Sequence, residues 1–261
     1  MSVPARTLAA ATAAFTLLLA GCAQPAAPAG SASAEPAAAT LTVFAAASLK
    51  GSFGELGELF EAAHPGTAVS FNFAGSQTLV EQLGQGAAAD VLATADEKSM
   101  ATAVADGLVE GDPTLFVSNR LTIVVPPGNP ASVAGFADLA TPGLRLVVCA
   151  PVVPCGAAAG KVATAAGTTL TPVSEEQAVT DVLAKVQAGE ADAGLVYATD
   201  ALAAGDTVTA IAFPEAAAAT NRYPIALLAA APQPTLAAAF LELVTGDEGR
   251  AVFDRAGFGR P

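Results

Sequence analysis

Two serines, Ser48 and Ser76, stand between the end of a predicted strand and the first turn of a predicted helix. The first amide N–H groups of a helix lack intrahelical partners, and the aligned peptide dipoles place about half a positive charge there. A serine hydroxyl adds one more donor, and the small residues beside these serines let an anion approach the backbone. Two such turns could hold one oxyanion from two sides. Taken singly, either serine is more typical of a simple N-cap.

The chain offers little for catalysis or for a resident metal. Its single histidine, His64, stands at a predicted helix end before Pro-Gly, where a cation complements the helix dipole. The sequence contains no Gly-x-Ser-x-Gly elbow and no acidic pair at a recognisable catalytic spacing, and it therefore predicts that the protein is not an enzyme. Apart from Cys22, only Cys149, Cys155 and His64 are soft metal ligands. Four carboxylates are interpreted as helix caps and solvated loop ends: Asp90, Asp96, Asp192 and Asp200.

The segments that must position these residues alternate between strand and helix. Predicted strands cover residues 41–45, 68–73, 90–93, 121–125, 144–149, 193–197 and 223–229. Predicted helices cover residues 49–63, 78–83, 97–105, 157–166, 175–188 and 236–244. This alternation predicts α/β layers built on parallel sheet. The chain from Thr40 onward is long enough for two lobes of about 100 residues each.

The N-terminus has the pattern of an export signal. Arg6 precedes an apolar run over residues 7–20, which is shorter than the about 20 residues that span a bilayer and is typical of a secretory signal peptide. Leu-Ala-Gly before Cys22 resembles the bacterial lipobox; the alternative is an ordinary signal peptide with an incidental cysteine. We therefore expect a signal peptide over 1–21, lipidation of Cys22, and a flexible tether over 22–39 that is rich in Ala, Pro, Ser and Gly. The protein would be exported and lipid-anchored to the outer face of the cytoplasmic membrane, at the cell surface or in a periplasm.

The charge of the chain excludes two classes of partner. A net charge of −13, with only 11 Lys plus Arg, argues against nucleic acid and against electrostatic attachment to anionic lipid. Contact with the membrane is therefore expected through the lipid anchor alone.

Six motifs occur in a fixed order from residue 40 to the end of the chain. They are VFAAASL (43–49), FAGSQTL (73–79), ADVLATAD (89–96), VPCG (153–156), GEADAGLVYATDA (189–201) and FDRAGF (253–258). As an ordered set they resemble the molybdate-binding proteins of molybdate ABC transporters, which have the type II periplasmic-binding-protein fold. The resemblance implies an α/β protein of two lobes joined by two hinge crossings, near residues 118–121 and 221–224. Lobe 1 would comprise 40–119 completed by 224–261, and lobe 2 would comprise 120–223.

The resemblance also implies a ligand set made only of neutral donors. The hydroxyl and amide of Ser48 and of Ser76 would contribute, together with the amides of Cys155 and Val179 and the phenol of Tyr197. The ligand would be molybdate or tungstate, with molybdenum bound only as the oxyanion and no cofactor. Both anions are fully deprotonated near neutral pH and only accept hydrogen bonds, which suits a site of pure donors.

The chain departs from the family pattern at three positions in or beside this set. Gly75 and Gln77 stand where serines are common, and Cys155 replaces the usual alanine. Ser76 is therefore the only hydroxyl expected from its turn, whereas the change at Cys155 is harmless if only its amide is used.

The expected partner is the permease of an ABC transporter, to which a monomeric binding protein would deliver its ligand. A sulfate- or ferric-binding relative of the same fold is the nearest alternative. A surface lipoprotein without a transport role is the alternative from another class.

Cys149 and Cys155 are expected to form a disulfide. They are the only cysteines left once Cys22 is lipidated, and exported thiols are commonly oxidised. The loop between them is short, contains two prolines, and could return to the Cα spacing of about 5.5 Å that a disulfide needs. The alternative is two buried free thiols.

Overall fold

A computed structural model describes residues 39–261 of the chain. The expected signal peptide, Cys22 and nearly all of the expected tether lie outside the described residues. Ala39, which was expected to end the tether, already belongs to the first strand. Between residues 39 and 261, no helix combines the length and the apolar character needed to cross a membrane.

The described chain alternates strands and helices from end to end. The strands are β1 (Ala39–Ala46), β2 (Thr67–Ala74), β3 (Val91–Ala93), β4 (Val109–Asn119), β5 (Leu121–Val125), β6 (Leu146–Cys149), β7 (Ser174–Glu176), β8 (Ala193–Tyr197), β9 (Thr209–Ile211) and β10 (Asn221–Leu228). The α-helices are α1 (Lys50–Ala63), α2 (Ser76–Gly84), α3 (Glu97–Ala105), α4 (Pro154–Ala166), α5 (Val179–Gln187), α6 (Ala198–Ala204), α7 (Pro234–Thr245) and α8 (Asp247–Arg255). Short 3-10 turns cover Ala47–Leu49, Phe136–Ala140, Gly205–Thr207 and Pro214–Ala218.

The strands form two five-stranded sheets, each the centre of one lobe. The first lobe is built on the order β2-β1-β3-β10-β4 and the second on β7-β6-β8-β5-β9. This confirms the predicted two-lobed α/β fold, and the expected parallel pairing is present in both sheets, although each sheet is mixed. Strand β10 runs antiparallel to β3 and β4, and β5 runs antiparallel to β8 and β9. The reversal arises because β10 re-enters the first sheet from the opposite lobe.

The two connections between the lobes lie side by side. Asn119, the last residue of β4, pairs with Asn221, the first residue of β10. Beyond this pair the chain enters the second lobe at Arg120, whose Nε donates to Oγ1 of Thr220, 3.0 Å away. The neighbouring crossings make a hinge about which two rigid lobes can open and close. The lobe limits expected from the sequence stay a prediction at the level of single residues.

Each lobe packs its helices on its sheet through an apolar face. In the first lobe Phe53 of α1 is fully buried, and its ring centroid lies 5.9–6.3 Å from those of four other phenylalanines. Burying one such side chain contributes about 1.5–3 kcal/mol. In the second lobe the contact is between small residues: Gly194 on β8 faces Val182 and Val186 of α5. These contacts hold the ends of the strands, and the turns that follow them, in fixed positions.

The predicted helix over 175–188 was wrong in its first part. Residues 174–176 form strand β7, which pairs in parallel with β6 at the sheet edge, and the helix begins only at Val179. Lys185 of α5 reaches back to Ser174 and Glu176 and fixes this strand against the helix. Strands β4 and β9 and helices α6 and α8 were absent from the prediction, and α4 begins three residues before the expected Ala157.

Candidate functional site

All five residues of the expected ligand set line one small cavity between the lobes. Ser48 and Ser76 come from the first lobe, whereas Cys155, Val179 and Tyr197 come from the second. The other residues of the wall are small or apolar: Ala46, Ala47, Ala74, Gly75, Ala95, Val153 and Pro154. The cavity volume is about 10 Å³, which is room for one water-sized group. The structure therefore has its lobes closed on one another.

Ser48 reaches the cavity from the turn that follows β1. The strand ends at Ala46, and a 3-10 turn over Ala47–Leu49 leads directly into α1. The Oγ of Ser48 lies 3.0 Å from Oη of Tyr223, so the two hydroxyls share one hydrogen bond. The side chain does not cap α1.

Ser76 occupies the equivalent position after β2. It is the first residue of α2, and the N-cap is Gly75. Its side chain is 1% exposed, and its Oγ accepts a hydrogen bond of 2.9 Å from the amide of Ala95. Because the oxygen is the acceptor in this bond, the hydroxyl hydrogen is free to point into the cavity. Neither Ser48 nor Ser76 acts as the simple N-cap that each could have been.

Cys155 is held at the cavity by the predicted disulfide. The structure contains the Cys149–Cys155 bond, with the two Cα atoms 5.7 Å apart. Pro154 is the first residue of α4 and Cys155 the second, so the amide of Cys155 lacks a partner within its helix. The helix axis directs this amide and the positive end of the dipole toward the cavity.

Val179 brings a second helix start of the same lobe to this cavity. It is the first residue of α5, and Ala178 before it has the extended conformation of an N-cap. Its amide is one of the donors left free at a helix start. The valine side chain is buried, so its contribution to the site is through the backbone.

Tyr197 and Tyr223 are the only tyrosines of the chain, and both lie at the back of the cleft. The Oη of Tyr197 accepts a 3.0 Å hydrogen bond from Nδ2 of Asn221, which leaves the phenolic hydrogen available as a donor. Burial raises the pKa of Tyr197 well above its usual value. Burial likewise raises the pKa of Tyr223. Both phenols therefore stay protonated and neutral.

The cavity wall in the described structure carries no charged side chain. Asp200, in the first turn of α6, lies three residues after Tyr197 and accepts a 3.1 Å hydrogen bond from the amide of Tyr197. Burial raises the pKa of Asp200 to about 7. Of the two roles expected for these carboxylates, cap or solvated loop end, Asp200 has the first: its side chain caps the start of α6, and packing of α6 against the second sheet removes it from water.

The other three carboxylates interpreted from the sequence have three different roles. Asp96 caps α3 as predicted and accepts from the amide of Ser99 at 2.9 Å. Asp192 pairs with Arg145, and this bond lowers the pKa of its carboxyl. Asp90 is not a solvated loop end: it is buried and accepts from the backbone amides of Thr42 and of Gln233, the N-cap residue of α7.

The remaining candidates for other chemistry have structural roles. His64 is the C-cap of α1, as predicted, and its ring stacks on Phe60 at a centroid distance of 4.0 Å. Among residues 39–261, no group of three or more His, Cys, Asp or Glu side chains is placed to hold a metal ion.

The sequence did not predict the residues that hold the proposed ligand set in position by hydrogen bonds. Asn221 donates both to Tyr197 and to the carbonyl of Ala95, and Tyr223 bonds Ser48. The signal available was that Tyr223 lies at a predicted hinge crossing, where a polar side chain reaches both lobes. Together the observed groups can bind a compact anion that accepts hydrogen bonds. They offer no base or nucleophile activated by one.

Comparison with known proteins gives matches over most of the chain. A family model described as bacterial extracellular solute-binding protein matches residues 41–259. The molybdate-binding protein ModA of Mycobacterium tuberculosis is 50% identical over 224 residues, which is 86% of each chain.

Among solved structures, the periplasmic molybdate-binding protein of Azotobacter vinelandii has a TM-score of 0.72 at 23% identity, over 85% of this chain and 99% of that one. The sulfate-binding protein SubI of Mycobacterium tuberculosis has a TM-score of 0.70 at 21% identity, over 84% and 86%. At these identities the two structures establish the shared fold.

Proteins of this kind act outside the cytoplasm, where they bind solutes that a transporter then takes up. They are not enzymes. The extent of the family match and the 50% identity to ModA show that this chain belongs to the bacterial extracellular solute-binding proteins.

Proposed function

We propose that this protein captures molybdate, and also tungstate, in the cavity between its lobes and delivers it to the permease of an ABC transporter. The observation that carries the proposal is the convergence of donors from both lobes on one cavity whose described wall has no charged side chain. The 50% identity to a protein named as molybdate-binding supports the choice of ligand.

The proposed ligand contacts are the hydroxyls and amides of Ser48 and Ser76, the amides of Cys155 and Val179, and the phenol of Tyr197. About seven such donors, each contributing about 1.5–3 kcal/mol to a charged acceptor, give ample gross energy. The cost of ordering the ligand and closing the lobes reduces this sum to the net affinity. Phosphate would be disfavoured, because it keeps a proton near neutral pH and the site presents no acceptor for it.

Sulfate is the competing ligand, since the fold is shared with a sulfate-binding protein. Sulfate is also a tetrahedral dianion that only accepts hydrogen bonds, so the donor set alone does not reject it. Selection between the two would rest on cavity size, because molybdate is the larger ion and demands a wider spacing of the same donors.

Isothermal titration of the purified protein with molybdate, tungstate, sulfate and phosphate tests the proposal. We expect tight binding of the first two and at least 100-fold weaker binding of the others. A ligand present at about 100 times its Kd should also stabilise the fold by about 2.7 kcal/mol. Tight sulfate binding without molybdate binding would overturn the ligand assignment and leave the fold unaffected.

Lipid anchoring through Cys22 and a monomeric state complete the proposal. Cys22→Ser should release the protein from the membrane fraction, which fractionation and metabolic labelling with a fatty acid measure. Light scattering of the soluble variant should give the mass of one chain. If the protein that keeps Cys22 is also found outside the membrane fraction, the proposed lipid anchor is wrong.

A further inference from the structure

Gly75 faces a backbone carbonyl of the opposite lobe at a distance that admits no side chain. A Cβ built on Gly75 would overlap the carbonyl oxygen of Gln177, far inside the 3.0 Å that real Cβ atoms keep. A carbonyl oxygen of the main chain cannot rotate away as the end of a side chain can. Gly75 belongs to the turn between β2 and α2 in the first lobe, whereas Gln177 lies between β7 and α5 in the second.

The conformation of Gly75 does not itself require glycine. Its φ of −61° and ψ of 140° are extended values that every L-residue adopts. Within its own lobe, the nearest obstacles to a Cβ are the terminal amide atoms of Gln77, which can move. Glycine is therefore required at position 75 only because the second lobe comes so close.

This contact stands beside two of the proposed donors. Ser76 follows Gly75 directly, and Val179 comes two residues after Gln177. The side chain of Gln77 extends the contact, with its Nε2 3.4 Å from Oε1 of Gln177. The approach of Gly75 to Gln177 therefore sets the separation between the helix starts that present Ser76 and Val179 to the cavity.

We infer that Gly75 is a positioning residue for lobe closure, and that any side chain at this position holds the two lobes apart. The inference rests on the proposed function for its ligand, but the closure that it describes is measurable without one. Serine, the commoner residue of the resembling family here, would bring its own Cβ against the same carbonyl. The requirement for glycine is therefore a property of how this chain places Gln177.

Cross-linking between the lobes tests the inference directly. Gln77→Cys and Gln177→Cys place one thiol on each side of the contact, in a Cys22→Ser background so that no third free thiol competes. The Gln177 carbonyl is retained in this parent, and a short bis-thiol reagent reports how often the lobes close. We expect Gly75→Ala to slow cross-linking at least tenfold. The matched control is Gly54→Ala in α1, where an added Cβ meets no atom within 4 Å and cross-linking should keep the parent rate.

Two further measurements, the melting temperature and the effect of molybdate on cross-linking, distinguish failure of this inference from failure of the proposed function. Gly75→Ala should melt at the parent temperature without ligand, because the change is compatible with its own lobe. Equal cross-linking rates in Gly75→Ala and the parent would overturn the inference, and so would loss of folding in Gly75→Ala. Molybdate should accelerate cross-linking of the parent. If it does not, the proposed ligand is wrong, whereas the ligand-free comparison still decides the role of Gly75.

Discussion

Replacing Ser76 with alanine should weaken oxyanion binding and destabilise the fold at the same time. The two effects arise from the two ends of one hydroxyl group. Its oxygen accepts from the buried amide of Ala95, and its hydrogen is free to donate into the cavity. Ser76→Ala removes both interactions, so each can be assigned its own magnitude.

The affinity should fall by the contribution of one hydrogen bond to a charged group. At about 1.5–3 kcal/mol this corresponds to an increase of about 10- to 150-fold in the Kd for molybdate. The fold should lose about 1–3 kcal/mol, because the amide of Ala95 is left buried without a partner. For a protein of this size each kcal/mol lowers Tm by about 2–4 °C.

Ser48 and Ser52 provide the comparison. Ser48→Ala should lower affinity by a similar factor with a smaller loss of stability, because Ser48 is partly exposed and water can replace it as partner to Tyr223. Ser52→Ala is the control: Ser52 is 6% exposed in α1 and does not line the cavity, so affinity should be unchanged.

Calorimetry of molybdate binding and urea unfolding of the unliganded proteins measure the two quantities separately. Wild-type affinity in both Ser48→Ala and Ser76→Ala would remove the proposed site. A loss of stability in Ser76→Ala with no loss of affinity would mean that the hydroxyl only supports Ala95.

Three other perturbations have defined outcomes. The pKa of Asp200 is raised by burial to about 7 from 3.8, so its favourable contribution is complete below about pH 4 and is lost as the pH rises through 7. Asp200→Asn should therefore gain about 2–3 kcal/mol relative to wild type between about pH 5 and pH 8 in urea unfolding, and a relative loss would contradict this. Reducing the Cys149–Cys155 bond should lower the free energy of unfolding by about 2 kcal/mol. It should also weaken molybdate binding, because the amide of Cys155 loses its fixed position. If affinity is unchanged after reduction, with the reduction itself checked by alkylation and mass spectrometry, the bond is purely structural. Gly156→Ala should destabilise by about 1–3 kcal/mol, since its Cβ would overlap the carbonyl of Ala150, whereas Gly160→Ala in the same helix meets open space and should stabilise slightly.

The parts of the fold that follow from local sequence were predictable. Phe53, Leu56 and Phe60 recur at helical spacing, and all three are buried on one face of α1. The turn after β1 was recognisable because small residues and Ser48 separate an apolar strand from that helix. Such features depend on neighbours within a few positions, where propensity and periodicity act.

The parts that depend on distant partners were not predictable. Residues 174–176 have no strand signal of their own, and they become β7 because β6 presents a free edge to them. The bond between Ser48 and Tyr223 joins residues 175 positions apart. The contact of Gly75 with Gln177 likewise exists only after both lobes have folded and met. Local patterns located the donors, whereas only tertiary structure revealed what holds them in position.

A strongly acidic protein can bind a dianion because its net negative charge and the positive partial charges at its helix starts act over different distances. The net charge of −13 is spread over the whole chain, and at physiological ionic strength its field is screened beyond about 8 Å. The helix starts at Ser76, Cys155 and Val179 act at contact distance inside a cavity that excludes most water, where the same partial charges interact more strongly. Donors fixed by the fold of each lobe require no reorganisation within that lobe when the anion arrives, so the main structural cost of binding is lobe closure. Affinity should therefore depend weakly on salt, unlike the affinity of a site built from exposed lysines, because the attraction arises from buried dipoles and not from the protein's net charge.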